Sequence, residues 1–265
     1  MAMSKRQRAK VFRGVQYGVL IVAAVLLALF ADWGKIQHAF FDLEVAAKLF
    51  PHVVTSALKN TIVYSALGFV FGLGLGLVLA LMKLSPVGPY RWIATGYIEF
   101  FRGVPALLVF IAFAYGVPTA FQLRFDTLST VMLALGIVAA AYMAETIRAG
   151  IQAVPKGQIE AARSLGMSAS RAMITVVIPQ AFRIILPPLT NELIMLTKDS
   201  SLIYVVGLAL SERELTQFGR QAMNEYRGMT PIVVAGFLYL IITLPLGYLS
   251  RYLERRTGGK KVSVV

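Results

Sequence analysis

Six long apolar stretches dominate the chain and restrict what it can fold into. They run approximately from Val15 to Trp33, Thr55 to Met82, Trp92 to Val117, Leu128 to Val154, Leu186 to Leu208 and Pro231 to Leu253. A helix rises about 1.5 Å per residue, so roughly 20 residues cross about 30 Å of hydrocarbon. Each stretch meets or nearly meets that length. With 57% hydrophobic residues among 265, the composition excludes a soluble domain. The expected fold is all-α and integral to a membrane, with about six transmembrane helices in one membrane domain. The sequence shows no internal repeat. It also lacks cysteine, which excludes disulfides, thiolate metal sites and cysteine chemistry.

A net charge of +13 would suit nucleic acid, but its distribution fits topology instead. With the N-terminus inside, the cytoplasmic segments hold Lys5, Arg6, Arg8, Lys10, Arg13, Lys83 and Arg91. The same side then receives Arg148, Lys156, Arg163, Arg171 and Arg183, and finally Arg251, Arg255, Arg256, Lys260 and Lys261. These are 17 of the 26 basic residues. The outer segments hold Lys35, Lys48, Lys59, Arg124, Arg213, Arg220 and Arg227, nearly balanced by acids such as Asp32, Glu44, Asp126, Glu212 and Glu214. This is the positive-inside pattern, and it puts both termini in the cytoplasm. The basic excess reads as topology and contact with anionic lipid, with no nucleic-acid partner. The first stretch begins like a secretory signal, but no small-x-small site follows cleanly at Leu29-Phe30-Ala31-Asp32. Trp33 looks like an interfacial anchor, so this stretch reads as a retained helix.

Gly68, Gly72 and Gly76 recur every fourth residue in the second stretch, with Gly74 between them. Such a string lacks the flanking strand and spacing of a dinucleotide site. It reads as a smooth helix face against which another helix packs closely.

The most informative connector lies between the fourth and fifth stretches. Pro155 and Gly157 open it, and Ile159 to Leu165 reads as a short amphipathic helix. Gly166 suits the positive φ that ends a helix. Ser168 suits the cap of a second turn, which Pro179 is expected to stop. Glu160-Ala161-Ala162, then Leu165-Gly166-Met167 and Val176-Val177-Ile178-Pro179, resemble the E-A-A loop of permease subunits in ATP-binding-cassette (ABC) importers. The resemblance continues in Glu99-Phe100-Phe101-Arg102-Gly103-Val104-Pro105, Ala144-Glu145-Thr146-Ile147-Arg148-Ala149-Gly150 and Lys198-Asp199-Ser200-Ser201-Leu202. These runs are similar to the polar amino-acid branch of that family, with Val104 in place of a threonine and Val176 in place of an isoleucine.

The resemblance implies a type I importer permease: a five-helix core over 51–255 with a coupling loop at 155–180. Residues 1–50 would precede it as a basic tail, first helix and outer segment, and 256–265 would follow as a basic tail. It further implies two cytosolic ABC ATPase subunits, a second permease subunit, identical or homologous, and an extracytoplasmic amino-acid-binding protein. The location would be a bacterial plasma membrane. ATP and Mg would be bound by the ATPase, leaving no cofactor in this chain and no catalysis. The chain has no G-x-x-x-x-G-K-[ST] phosphate loop, in keeping with that division.

Independent physics selects overlapping residues. A charge at membrane depth costs about 2.5 to 3.5 kcal/mol on insertion scales, so it should face an interior or a path. Counting from the span ends places Arg102, Tyr142, Lys198 and Asp199 near the mid-plane, with Glu192 and Arg148 nearer the cytoplasm. Pro105 should break the third helix near its middle. An amino-acid zwitterion needs a cation for its carboxylate, which the planar fork of Arg102 suits, and an anion for its ammonium. Asp199, next to Ser200, suits the second role. The candidate substrate-binding residues are therefore Arg102, Tyr142, Glu192, Lys198, Asp199 and Ser200. The alternative is internal neutralisation, Glu99 with Arg102 and Arg148 with Glu192. His38 and His52 have no ligand-like neighbours, so no metal site is expected, and no catalytic constellation is visible. An ion-coupled secondary transporter or channel is the competing function. Such proteins usually carry an inverted repeat.

Overall fold

The computed structural model describes residues 5–123 and 125–257. Arg124 and most of the expected tail at 256–265, including Lys260 and Lys261, lie outside the described residues. Every regular element among those described is helical. In order they are α1 Lys5–Phe30, α2 Trp33–Phe40, α3 Leu43–Leu49, α4 Lys59–Leu84, α5 Gly88–Gly103, α6 Ala106–Ile111, α7 Val117–Phe121, α8 Thr127–Gln152, α9 Lys156–Ser164, α10 Ala169–Ala172, α11 Ile178–Asp199, α12 Leu215–Tyr226 and α13 Thr230–Thr257. Five spans are long and apolar enough to cross a membrane, or six if the segments Gly88–Gly103 and Ala106–Phe121, bent by 105° at the break between them, count as one. The higher count agrees with the six apolar stretches.

The bend follows from Pro105. Proline has no N–H to continue the ladder and forces the residue before it out of the helical region. Val104 accordingly has φ −91° and ψ 135°. The chain re-enters a helix at Ala106, so the expected break is present between α5 and α6.

The core is the pairing of α4 with α8. Gly68 faces Leu135, Gly72 faces Ala139 and Gly76 faces Met143, so the two helices run parallel and advance in step. A Cβ on Gly72 would lie 3.1 Å from the Gly136 carbonyl oxygen, and one on Gly76 3.0 Å from that of Ala140. The backbones therefore approach as the small-residue stripe requires. Asp126 starts α8 by accepting from the Ser129 N–H at 3.3 Å. Tyr97 Oη on α5 donates to the Ile137 carbonyl of α8 at 2.8 Å. The α5 helix thereby closes over the C-terminal half of this pair, burying Ala94 and Ile98 against Leu79, Ala140, Ala144 and Ile147. The antiparallel α11 fits Ile185 into the notch left by Gly150 of α8. On its other side Ser250 Oγ of α13 donates to the Pro187 carbonyl at 3.3 Å.

Two boundary expectations change. The fifth span was expected to begin at Leu186, and Pro179 to stop the segment before it. Instead one helical rod runs from Ala169 to Val206, through Pro179 and through Pro187-Pro188. A π-turn over Met173–Val177 ends with the Ile178 N–H on the Met173 carbonyl, and Pro179 then occupies the first turn of α11, where its missing donor is tolerated. The longer rod also removes the starting point from which the depths of Glu192 and Asp199 were counted.

The loops at the end where α4, α8 and α13 begin are structured, which periodicity alone did not indicate. The Asp42 N–H donates to Thr230 Oγ1 at 3.1 Å and the Met229 N–H to the Ala39 carbonyl at 2.7 Å, tying α2 and α3 to the start of α13. The Leu215 N–H donates to Thr61 Oγ1 at 3.1 Å, and Thr127 Oγ1 to Glu212 at 3.0 Å, so the segment before α12 lies across the starts of α4 and α8. By contrast, the apolar α1 buries none of its span against the rest of the chain.

Candidate functional site

At the break between α5 and α6, the chain encloses a small cavity whose lining includes Ala106, Phe110, Tyr142, Glu192, Met195 and Asp199. Its volume is about 30 Å³, room for about one water molecule. Glu192 and Asp199 lie seven residues apart, two turns of α11, and so share a face. Both are partly buried. Neither carboxylate accepts a hydrogen bond or enters an ion pair among the described residues. Two partly buried, unpaired carboxylates on one cavity are costly unless something cationic meets them.

Arg102 comes from the last turn of α5, just before the break. Its guanidinium carbon sits 5.7 Å from the centre of the Tyr142 ring, a cation–π distance. Tyr142 is 39% exposed. The charge of Arg102 also reaches Glu192, as does that of Asp199. Arg102, Tyr142, Glu192 and Asp199 are thus neighbours, drawn from α5, α8 and α11. Lys198 is exposed and outside the cavity lining, although its charge acts on Asp199. Ser200 is fully buried, and its hydroxyl donates to the Thr197 carbonyl at 2.7 Å. Neither is brought to the cavity, and Arg102, exposed like Lys198, also lies outside its lining.

The neutralising pairs offered as the alternative are not those that form. Among the described residues Glu99 has no ion-pair partner, and Arg148 does not reach Glu192. Arg148 instead grips Glu145, three residues back on its own helix, at 2.6 Å, and Lys83 of α4 takes the other oxygen at 2.6 Å. A partner three residues away on the same face is already in reach. Glu192 is left free to face the cavity. Phe110 and Met195 were not singled out from sequence. Met195 lies three residues after Glu192 and four before Asp199, so helical spacing could have placed it on that face.

The second candidate site is the elbow after α8. The α9 helix begins at Lys156, three residues before the expected Ile159, and ends in a Schellman motif. The Met167 N–H meets the Ala162 carbonyl at 3.1 Å and the Gly166 N–H meets that of Arg163 at 3.0 Å, with Gly166 at φ +83°. Ser168 Oγ then accepts from the Arg171 N–H at 3.3 Å to start α10. Ala162 is buried and Ile159 packs beside Val154, Val177 and Ala181, which anchors one face of α9. Glu160 and Ala161 are exposed, Met167 is partly so, and Leu165 at the tip is 82% exposed. A connector fixed at both ends therefore presents an apolar tip and an acid.

The family described as "Binding-protein-dependent transport system inner membrane component" matches residues 72–259. The arginine transport system permease protein ArtQ of Bacillus subtilis is 36% identical over 203 residues, spanning 77% of this chain and 91% of that protein. The probable glutamine ABC transporter permease protein GlnM of the same organism is 38% identical over 198 residues, spanning 74% and 89%. Among solved structures, one described as an amino acid ABC transporter with histidines superposes with a TM-score of 0.73 at 36% identity, over 81% of this chain and 98% of that one. Its polar residues gathered at a helix break and its elbow closed by Gly166, the chain belongs to the family of binding-protein-dependent transport system inner membrane components.

Proposed function

We propose that this chain is the permease subunit of an ABC importer that carries polar amino acids into a bacterial cytoplasm. The observation that carries the reading is the near-full-length match to amino-acid permeases, 91% and 89% of the two relatives' lengths. Membership in a family named for dependence on a binding protein weighs against the ion-coupled alternative. The chain itself is non-catalytic. Two cytosolic ATPase subunits bind ATP and Mg and grip the elbow around Glu160, Ala161, Ala162, Leu165, Gly166 and Met167. A second permease subunit completes the conduit, and an extracytoplasmic binding protein delivers the substrate.

Arg102 receives the substrate carboxylate and Asp199 its ammonium, with Tyr142 and Glu192 in the wall between them. The cavity of about 30 Å³ is smaller than any amino acid, so substrate passage requires the helices around the α5–α6 break to separate. Both termini and the elbow lie in the cytoplasm, on the strength of the basic residues at that end. In the cysteine-free background, a cysteine replacing the exposed Leu43 should react with an impermeant label in intact cells, and one replacing Leu165 should not. Labelling of Leu165→Cys from outside would reverse the orientation.

Uptake by the purified complex in liposomes tests the function. Arg102→Ala should weaken uptake at low substrate, because the carboxylate would lose its cation. Arg102 is exposed, so the loss is about 1 kcal/mol, several-fold in affinity. Normal amino-acid uptake by an assembled Arg102→Ala complex would overturn the assignment of the site.

A further inference from the structure

We propose that the groove between the α2–α3 segment and the start of α13 holds the phosphate of an anionic phospholipid, in the outer leaflet under the orientation proposed above. The wall made by α2 and α3 precedes residues 72–259, where the family match lies, and the site is independent of which amino acid is carried. The groove has a volume of about 340 Å³, within the range of small-molecule clefts. Lys35, His38 and Asp42 line one side, and Arg227 and Thr230 the other. The bonds from Asp42 to Thr230 and from Met229 to Ala39 hold the two walls together.

Asp42, the one acid in that lining, is already satisfied. Its Oδ1 accepts from the Glu44 and Val45 N–H groups at 3.0 and 3.2 Å, and its Oδ2 lies 3.3 Å from His38 Nδ1. Arg227, by contrast, has no side-chain hydrogen bond, ion pair or ring contact among the described residues. It also stands where a side chain is costly. Arg227 ends α12 in the left-handed region, with φ +50° and ψ 36°, a place glycine usually takes. Lys35 Nζ lies 3.0 Å from Asp32, but both side chains are exposed, and such a pair holds its lysine weakly. One free and one loosely held cation therefore share a groove whose acid is spent.

The position of the groove favours a lipid over a free anion. Lys35 lies just past the end of α1 at Phe30, and Thr230 begins α13, so the groove sits where two spans leave the hydrocarbon. Trp33, Phe40, Phe41 and Leu43 are exposed on the same segment. Aromatic rings settle at headgroup level and apolar side chains dip into the acyl boundary. A phospholipid meets both the cations and these side chains, whereas inorganic phosphate meets only the cations.

The chain has two tryptophans, so Trp92→Phe leaves Trp33, beside the groove, as a fluorescent reporter. The full-length chain carrying that change is placed in phosphatidylcholine vesicles with brominated phosphatidylglycerol or brominated phosphatidylcholine as a minor component. Phosphatidylglycerol should quench Trp33 with a preference of about fivefold or more, since a basic residue at a membrane surface contributes roughly that factor. Arg227→Gln should remove about fivefold of it, Lys35→Gln less, and Arg91→Gln at the opposite end of the spans none. Arg227→Gly relieves the left-handed backbone while deleting the charge, so it should keep the chain folded and still lose the preference. Equal quenching by the two lipids, or a preference that survives Arg227→Gly and Lys35→Gln, overturns the inference. Inorganic phosphate, set against chloride of equal ionic strength, separates the two sources of the same chemistry. A preference erased by phosphate and kept in chloride assigns the groove to a free anion and overturns the lipid.

Discussion

Lys83 Nζ lies 2.6 Å from one oxygen of Glu145 while Arg148 holds the other, so a single carboxylate fastens the end of α4 to the last turns of α8. Arg148 donates to that oxygen twice, through Nη2 at 2.6 Å and Nε at 3.1 Å. The three side chains are between 19% and 28% exposed, dry enough for the pairing to count. They hold the pair of helices from which the elbow hangs.

Glu145→Ala should therefore lower stability by roughly 1.5 to 3 kcal/mol, since two cations lose their shared partner. Lys83→Gln should cost less, because Arg148 still satisfies the carboxylate. The exchange Lys83→Glu with Glu145→Lys should recover only part of the loss, as Arg148 would then face a lysine. Thermal melting of the detergent-purified chain measures all three. An unchanged melting temperature for Glu145→Ala would remove the clasp from the account.

The glycines of α4 should separate cleanly by position. A side chain at Gly72 or Gly76 meets the α8 backbone at 3.0 to 3.1 Å, whereas nothing lies within 4 Å of a Cβ at Gly74. Gly72→Leu and Gly76→Leu should cost about 1 to 3 kcal/mol or more by overpacking, and Gly74→Leu should be tolerated. Folded yield by size-exclusion chromatography reports the difference. Similar yields for Gly74→Leu and Gly76→Leu would mean that the α4–α8 contact is not close.

Much of this was legible in the residues because the cues were local. Pro105 dictates a break through its missing N–H, Gly166 a left-handed turn, and Ser168 a cap, so bend and elbow follow from spacing alone. The apolar stretches give the spans because lipid imposes their length. What escaped was set by neighbours. Pro179 was expected to end a helix, but a preceding π-turn lets it begin one. Arg148 and Glu192 were matched by estimated depth, yet Glu145 lies only three residues from Arg148 on the same helix. The cavity lining depends on which face of α11 turns inward, and that is decided by Ile185 fitting against Gly150 and Leu196 against Gly68. No one-dimensional pattern carries that choice.

Glu214 gives a pH prediction. It is completely buried at the start of α12, where it accepts from the Thr216 and Gln217 N–H groups at 2.6 and 2.7 Å and from Tyr239 Oη at 2.8 Å. Burial pushes its carboxyl above the usual carboxylate value of 4.5, and those hydrogen bonds oppose the shift without cancelling it. In the window above 4.5, the folded chain keeps a proton that the unfolded chain releases. Stability from this group is thus fully present below that value and is lost as pH rises through the folded one. Glu214→Gln should flatten that slope in melting temperature. An identical slope in both proteins would show that Glu214 is ionised when buried.

The elbow should transmit force to the ATPase through its shape and its tip. At Gly166 the backbone has φ +83°, yet a Cβ there would meet nothing within 4 Å. Gly166→Ala therefore acts through backbone strain alone, about 1 to 2 kcal/mol for a left-handed residue with a side chain. It should loosen the Schellman closure without disturbing the membrane helices. Leu165→Asp removes the apolar tip, and Glu160→Lys reverses the exposed charge on α9, neither touching the buried Ala162 that anchors α9. The expected order of damage to substrate-stimulated ATP hydrolysis is Leu165→Asp and Glu160→Lys most, by tenfold or so if a contact worth roughly 1.4 kcal/mol is lost, and Gly166→Ala least. Amino-acid binding at the proposed site should be unaffected, because the elbow connects to it through α8 and α11. Copurification of the ATPase, binding of a panel of amino acids and stimulated hydrolysis, measured on the same preparations, separate docking from substrate recognition. Full ATPase recovery and normal hydrolysis in both Leu165→Asp and Glu160→Lys would place the docking surface elsewhere on the chain.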